Sequence, residues 1–346
     1  MDGITGTMTC PPVRKLLTPP ASWPLTLVVV IDTEEEFDWN TPSDPTATAV
    51  TNIASQPLAQ EIFDSYGLVP TYAVDYPVAS TPAAAAVLRR FMEDGRCEIG
   101  AHLHPWVNPP HEGPLDIHHS YPGNLPQALE RGKLIALTGA ITAGFGASPV
   151  VYKAGRYGIG AATPAILREL NYKVDVSVVP HTDFSADGGP DFRDAPAGPF
   201  MIGDGLCELP LSVHFVGRLT AHGPSLSRPL ASGAARRMRL PGILSRLGLL
   251  TKLRLSPEGF GLTDMIHQTR SAISAGTRLF MLTYHSSSLL PGATQYVRTE
   301  ADRREFLATL DAYLRFFVKE CGGRTDTVSR VAASLAAGQE PIVGRG

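Results

Sequence analysis

The stretch Leu25-Thr-Leu-Val-Val-Val-Ile31 is followed at once by Asp32-Thr-Glu-Glu-Glu36, and this junction decides how the rest of the chain is interpreted. The first part is short, apolar and rich in β-branched residues, which is typical of a buried strand in a parallel sheet. The second part places a cluster of carboxylates directly after that strand. Active sites of α/β proteins lie at the carboxyl ends of the strands. The sequence therefore predicts an α/β fold with a functional site that begins at Asp32.

Helical and strand-like patterns alternate along the chain after this junction. The predicted helices are 54–66, 82–94, 125–145, 163–170 and 302–320, and the further predicted strands are 70–74, 97–104, 150–153, 174–177 and 279–285. Such alternation indicates a parallel sheet whose strands are connected by crossover helices. The count of roughly seven or eight strands favours a barrel.

The net charge, hydropathy and cysteine content argue against several classes of protein. A net charge of -3 and a pI near 6.4 argue against a protein whose main role is to bind nucleic acid. No apolar run is long enough to cross a bilayer, and residues 1–24 lack the layout of a signal peptide, so we expect a cytoplasmic protein. Cys10, Cys97, Cys207 and Cys321 are scattered and form no C-x-x-C pair, so we expect reduced thiols.

Asp32 and Glu34 are two positions apart at the end of the predicted strand. If strand geometry continues, their side chains project to the same side. Two carboxylates in one dry pocket require either a bound cation or a shared proton. The alternative is a solvated acidic turn or a helix that begins at Glu34.

His102 and His104 have the same spacing on another predicted strand, so both imidazoles can face one side. Neutral imidazole suits zinc, iron, nickel or cobalt, and a carboxylate can complete the ligand set. Three protein ligands with open positions are typical of a catalytic metal site. The alternative is a pair of histidines that are hydrogen-bonded within the core.

Three further polar residues lie at turns or strand ends. Arg156 lies in a glycine-flanked loop, where a guanidinium could bind a carboxylate in a bidentate manner, and no phosphate-loop spacing is present. Asp175 lies at the end of a predicted strand, where a helix cap or turn is the alternative role. His285 ends the strand 279–285, and a histidine can donate a proton to a leaving amine.

A basic segment interrupts the pattern. No acidic residue occurs between Glu208 and Glu258, whereas arginines and one lysine recur from Arg218 to Arg254. Leucines recur within it at helical spacing, at Leu240, Leu244, Leu247 and Leu250. We interpret 205–260 as an insertion on the scaffold. It could contact a membrane surface or an anionic glycan, or it could be a solvated helical cover over the barrel.

Together these segments resemble the polysaccharide deacetylase family, which has the NodB homology domain, over about residues 25–290. Five motifs occur in the family's order. They are Ile31-Asp-Thr-Glu34, Glu98-Ile-Gly-Ala-His-Leu-His-Pro105, Gly155-Arg-Tyr-Gly158, Asp175-Val-Ser177 with Pro180, and Leu282-Thr-Tyr-His285. The family usually has adjacent aspartates in the first motif and three residues between the histidines of the second.

The resemblance implies a distorted, incomplete (β/α)7 barrel. With the insertion, we expect an irregular lead-in over 1–23, a catalytic domain over 24–330 and a C-terminal tail over 331–346.

The resemblance also implies roles for particular residues. Asp32 would be the catalytic base, and Glu34, His102 and His104 would bind a divalent metal, with His111 in reserve. The division of roles among Asp32, Glu34 and Glu35 stays open. The remaining catalytic residues would be Arg156, which orients the base, Asp175, and His285 as the general acid, and the substrate-binding residues would be Trp106, Tyr157, Ser177 and Pro180. Zinc is the expected metal, with cobalt, nickel or iron as alternatives.

The function implied is the hydrolysis of an N-acyl group, most simply acetyl, from an amino sugar of a glycan or glycan precursor. One alternative is a related amide hydrolase, similar to allantoinase or to a deformylase of a lipid-linked amino sugar, some of which need no metal. A second alternative is a glycan-binding barrel without catalysis. The expected partner is a carbohydrate and not a nucleic acid.

Overall fold

The structure is a computed structural model that describes residues 11–39 and 44–338. Its strands are β1 (Lys15–Leu16), β2 (Thr26–Thr33), β3 (Thr71–Val74), β4 (Glu98–Leu103), β5 (Val151–Ala154), β6 (Val174–Asp175), β7 (Phe200–Met201), β8 (Cys207–Glu208), β9 (Val213–Val216), β10 (Thr251–Arg254), β11 (Leu279–His285) and β12 (Arg324–Thr325). Its α-helices are α1 (Gln56–Ser65), α2 (Tyr76–Ser80), α3 (Pro82–Glu93), α4 (Gln127–Phe145), α5 (Thr163–Glu169), α6 (Gly223–Leu230), α7 (Gly233–Arg237), α8 (Leu240–Arg246), α9 (Leu262–Ser274), α10 (Glu300–Arg315) and α11 (Val328–Ala337).

Strand β2 is central to the main sheet, and all eight of its residues are buried. It pairs in parallel with β11 on one side and with β3 on the other, so that Ile31 is in register with both Tyr284 and Tyr72. Burial on both faces explains why the strand is an unbroken apolar run rather than an alternating one. The register brings Asp32 level with His285.

The main sheet follows the order β1-β7-β8-β6-β5-β4-β3-β2-β11, and β12 pairs with the beginning of β2. Seven neighbouring strands, from β8 to β11 in this order, are parallel. At one edge of the sheet, β7 pairs in antiparallel fashion with both β8 and β1. Helices connect most of the parallel strands, and the sheet does not close within the described residues. The prediction of a distorted, incomplete (β/α)7 barrel is confirmed.

Local capping explains where the longest C-terminal helix begins. The side chain of Thr299 accepts from the amide of Asp302, and the carboxylate of Asp302 accepts from the amide of Thr299 at 2.9 Å. This capping box starts α10 at Glu300, two residues before the predicted start. The regular helix ends at Arg315 and continues as one π-helical turn over Phe316–Glu320.

Both ends of the described chain are part of the fold. In the lead-in, β1 pairs with β7, and the Trp23 side chain is 2% exposed. Near the C-terminus, α11 crosses the expected boundary at 330 and buries Val331 and Leu335 in the main core. Cys10 and residues 339–346 lie outside the described part of the chain.

The basic segment contains a second, two-stranded sheet. Strands β9 and β10 pair with each other as an antiparallel hairpin, with Val216 opposite Thr251, and α6, α7 and α8 lie between them in sequence. The leucines at helical spacing do not share one environment. Leu250 is buried, but α8 ends at Arg246 and the Leu247 side chain is 64% exposed. No helix in the described ranges is long and apolar enough to cross a membrane.

Candidate active site

A cavity of about 330 Å³ opens where the parallel strands end. Strand β2 contributes Asp32 and, just beyond it, Glu34, and β4 leads to His102 and His104. The cavity is lined by Asp32, Glu34, Phe37, Trp39, His102, His104, Tyr121, Ala154, Arg156, Tyr157, Phe184, Asp187, Arg254, His285 and Tyr296. These motifs meet at one edge of the sheet because the carboxyl ends of parallel strands lie on the same side.

Three buried donors converge at the floor of this cavity. The Nε2 atoms of His102 and His104 lie 3.4 and 3.5 Å from Oε2 of Glu34. One donor atom from each of the three residues lies within 4.8 Å of the other two. The spacing by two residues on β4 brings the imidazoles together, with ring centroids 4.5 Å apart.

The other nitrogen of each imidazole is already engaged. Nδ1 of His102 lies 3.1 Å from the carbonyl oxygen of Lys153, which can only accept, so Nδ1 carries the proton. Nδ1 of His104 lies 2.9 Å from Oε2 of Glu35. Such outer contacts orient the ring and leave Nε2 as the ligand atom, as is usual in protein metal sites.

The charges of this group fit a divalent cation. Burial raises the pKa of Glu34 well above its usual range, and the nearby carboxylates of Glu35 and Asp32 raise it further. Burial lowers the pKa of His102 well below its usual range and that of His104 to about 4, so both rings are neutral, as metal ligands must be. Oε1 of Glu34 is buried without a hydrogen-bond partner. A cation here would balance the carboxylate and engage its free oxygen.

A second acidic group contacts the Nδ1 side of the His104 ring. Glu35, Asp75 and His104 also lie close together, and all three are buried. Oε1 of Glu35 accepts from Nε1 of Trp106 at 2.7 Å, and Oδ2 of Asp75 accepts from the amide of Glu35 at 2.7 Å. The Trp106 ring stacks on His104 with centroids 4.2 Å apart. These contacts position the imidazole rather than open a second cavity.

Asp32 forms a buried ion pair with Lys153, a residue that the sequence analysis did not single out. Nζ of Lys153 also donates to Oγ1 of Thr283 at 3.1 Å. Burial raises the pKa of Asp32, but the charge of Lys153 and its hydrogen bond act in the opposite direction, and the net pKa is lowered to about 2. The carboxylate is therefore ionised at neutral pH. The feature of the sequence that could have revealed this residue is a lysine within an otherwise apolar strand, β5.

His285 faces Asp32 across the cavity, with 3.6 Å between Nε2 and Oδ2. Its Nδ1 lies 2.8 Å from Oε2 of Glu258, and Oε1 of Glu258 accepts from the amide of His285 at 2.9 Å. Ser288 donates to the same oxygen at 2.6 Å. Burial raises the pKa of Glu258, and the bonds with His285 and Ser288 bring the net pKa below its usual value. Glu258 was also missed, although it is the first acidic residue after the basic segment.

Comparison with known proteins places this geometry on a familiar scaffold. A protein from Mycobacterium smegmatis described as a polysaccharide deacetylase is 17% identical, with 97% of this chain and 99% of that chain covered and a TM-score of 0.58. The PuuE allantoinase is 13% identical, with 97% and 98% covered and a TM-score of 0.53. A protein from Pseudomonas aeruginosa PAO1 described as a polysaccharide deacetylase is 12% identical, with 92% and 93% covered and a TM-score of 0.51.

The chain has the polysaccharide deacetylase fold. No family model matches the sequence, and no curated protein matches it. Identities this low establish the fold and leave the chemistry to be argued from the site itself.

Within this polysaccharide deacetylase fold, Arg156 lies away from the position that the sequence analysis gave it. Its Nη1 donates to Oγ of Ser120 at 2.6 Å, its guanidinium lies 4.3 Å over the ring of Tyr121, and its Nη2 is 3.9 Å from Asp187. Its only ion pair among the described residues is with Asp187, so the expected pairing with Asp32 is not observed. Lys153 holds Asp32, and Arg156 forms part of the cavity wall.

The other predicted residues divide into two groups. Tyr157 lines the cavity, and its hydroxyl accepts from Nη1 of Arg254 at 2.7 Å. Asp175 is buried away from the cavity and accepts from Oγ of Ser177 at 2.5 Å, and that Oγ accepts from the amide of Ala154 at 2.8 Å. These two residues therefore connect β5 with β6.

Three further predicted residues also lie outside the cavity lining. Trp106 and Pro180 are buried, and His111 is exposed. Trp106 acts through Glu35 and His104 rather than by facing the cavity.

Proposed function

We propose that this chain is a metal-dependent hydrolase that removes an N-acyl group, acetyl in the simplest case, from an amino sugar of a glycan or glycan precursor. The observation that carries the proposal is a single cavity that joins three buried metal donors to an ionised carboxylate and a histidine. Hydrolysis of an amide needs an electrophilic centre, a base and an acid, and each has a residue here.

Glu34, His102 and His104 would hold the metal. Two imidazoles and a carboxylate suit zinc best, and cobalt, nickel and iron also accept this ligand set. When bound, the ion supplies a Lewis acid that polarises the amide carbonyl.

Asp32 is the proposed general base. Its charge is maintained by Lys153, whose ammonium also donates to Thr283 and so has a defined position. The Asp32 carboxylate takes the proton from the attacking water. Because its partner is a fixed cation rather than solvent, its position does not depend on the substrate.

His285 is the proposed general acid. Glu258 accepts at Nδ1 of His285 and thereby directs Nε2 into the cavity. A proton on Nε2 can pass to the departing amine as the C–N bond breaks. Glu258 is a positioning residue in this scheme, because it contacts His285 and does not line the cavity.

The remaining wall suits a sugar. Phe37, Trp39, Tyr157 and Tyr296 line the same cavity. Aromatic rings offer apolar faces with polar edges, which match the alternating C–H and O–H surfaces of a pyranose ring.

We include a cytoplasmic location in the proposal, because the three described cysteines form no disulfide.

The proposal is tested by elemental analysis of the purified protein together with acetate release from N-acetylglucosamine oligomers, before and after chelation. We expect one metal per chain, release that stops on chelation and release that returns on adding zinc. Glu34→Gln should lower metal content. Asp32→Asn should keep the metal but lower kcat at least about 100-fold. Full activity in Asp32→Asn, or in metal-free protein, would remove the proposal.

A related C–N hydrolase is the second candidate, since the PuuE allantoinase shares the fold over nearly the whole chain. Ureides and formamides assayed beside the oligosaccharides separate the two activities. Turnover of a ureide without acetate release favours this candidate. Sugar binding without any turnover favours a non-catalytic barrel.

A further inference from the structure

The basic segment creates a strong charge asymmetry. The eight basic residues between Glu208 and Glu258 are Arg218, Arg228, Arg236, Arg237, Arg239, Arg246, Lys252 and Arg254. With no acidic residue among them, the segment carries +8, while the whole chain carries -3, so all other residues together carry -11. A concentration of one sign of charge attracts a partner of the opposite sign.

Half of these eight basic residues are exposed and form no ion pair with a described residue. The side chains of Arg218, Arg237, Arg239 and Arg246 are exposed, and none of them forms an ion pair with a described residue. Arg228 does so, with Asp194. Four guanidinium groups are therefore available to an external partner.

Large apolar side chains lie in the same stretch of chain. Met238 is 59% exposed, Ile243 is 46% exposed and Leu247 is 64% exposed, the highest value for a large hydrophobic residue in the described ranges. They alternate in sequence with Arg237, Arg239 and Arg246. Transfer from water into an apolar medium is favourable for exposed apolar side chains of this kind, so they are poorly suited to permanent contact with water.

We propose that residues 218–247, the insertion face, dock onto the surface of an anionic lipid bilayer. Basic side chains bind anionic headgroups, while neighbouring apolar side chains enter the boundary between headgroups and acyl chains. An anionic glycan would neutralise the arginines but would leave Met238, Ile243 and Leu247 in water. The combination of both side-chain types therefore favours lipid.

The insertion face is connected directly to the catalytic cavity. Strand β10 leaves the insertion at Thr251 and ends at Arg254, which lines the cavity. Four residues of strand span about 13 Å. Lys252 further fixes this strand by donating from Nζ to the carbonyl oxygen of His181 at 2.9 Å. A docked chain would thus hold its cavity close to the bilayer surface.

The experiment is sedimentation of the full chain with large vesicles, one set of phosphatidylcholine alone and one with about one third phosphatidylglycerol, at low and high salt. We expect binding to the anionic vesicles only, weakened by salt. Replacing Arg237, Arg239 and Arg246 with glutamine should lower the partition coefficient roughly 100-fold, since each basic side chain near the surface contributes about fivefold. The matched control replaces exposed Arg90, Arg304 and Arg315 with glutamine and should bind as the wild type does.

Apolar insertion is tested separately. Leu247→Ser and Ile243→Ser should each weaken vesicle binding several-fold. Ile135→Ser is the matched control, because Ile135 is 42% exposed on α4. Failure of the wild type to bind anionic vesicles at low salt would overturn the proposal. Equal losses of vesicle binding in the control variants would also overturn it. So would binding of the chain to soluble heparin together with unchanged vesicle affinity in Leu247→Ser, a result that would indicate an anionic glycan as the partner. None of these outcomes depends on the hydrolase activity.

Discussion

Asp32 keeps its negative charge although its side chain is buried, and Lys153 is the main reason. Both side chains are buried, so each charge depends on the other for compensation. A buried charge that loses its partner destabilises a fold far more than the intact pair stabilises it. Arg156, by contrast, is a partly exposed wall residue.

The two cations can therefore be distinguished by stability. Lys153→Met should lower the free energy of unfolding by about 3–5 kcal/mol, because it leaves the Asp32 carboxylate buried and unpaired. Arg156→Met should lower it by about 1 kcal/mol or less. Urea denaturation followed by circular dichroism measures both. Equal losses in the two variants would contradict the assignment of Lys153 as the partner of Asp32.

At the scale of elements, helix α4 carries an ionisable group in an apolar setting. Glu130 lies in the first turn of α4 with a side chain 1% exposed, and it accepts a hydrogen bond from Thr163 at the start of α5. Burial raises its pKa to about 7, an effect that the bond from Thr163 only partly offsets. The contact joins two helices, and burial of the Glu130 carboxyl favours its protonated form.

The burial of Glu130 predicts a particular pH dependence of stability. Between the ordinary pKa of 4.5 and the raised pKa of about 7, the folded state holds a proton that the unfolded state has lost. Stability therefore falls as pH rises through this range. Glu130→Gln removes the titration while keeping a polar side chain.

Wild type and Glu130→Gln should be compared by urea denaturation at pH 5 and pH 8. The wild type should lose roughly 2–3 kcal/mol more than the variant over this interval, since one pKa unit corresponds to about 1.4 kcal/mol. The difference between the proteins isolates Glu130 from the other buried carboxyls. An identical pH dependence would show that Glu130 does not titrate in this range.

At the scale of the whole molecule, the basic segment and the rest of the chain carry opposite net charges. The hairpin of β9 and β10 holds the insertion at its base, where Val216 and Thr251 are directly opposite each other. Antiparallel residues in this register can be connected by a two-residue turn. The barrel should thus fold without the helices of the insertion.

Replacing residues 217–250 with Asn-Gly tests this independence. We expect one cooperative thermal transition with a midpoint several degrees lower, because Phe215 and Val216 lose their cover. Vesicle binding should be lost. Thermal unfolding followed by circular dichroism, with the vesicle assay beside it, measures both properties. An unfolded variant would show instead that the insertion belongs to the cooperative core.

Local patterns in the sequence were enough to predict the fold and the grouping of these motifs around one cavity. The apolar run that became β2, the carboxylates after it and the two histidines at spacing two are all features of neighbouring residues. Strand periodicity and the parallel order then bring their carboxyl ends together. Exposure of Leu247 was not predictable in this way, because helical spacing does not specify which face meets the barrel.

Only the tertiary structure decided which side chains are partners. Lys153 reaches Asp32 across 121 residues, and Glu258 reaches His285 across 27. Each pairing depends on the order of strands in the sheet and on the path of the chain after β10. The family resemblance assigned Arg156 to Asp32, because the third motif of the family supplies an arginine that orients the base. The fold selected Lys153 because strand β5 directs this side chain into the buried space beside β2, where only a neutralising charge is tolerated.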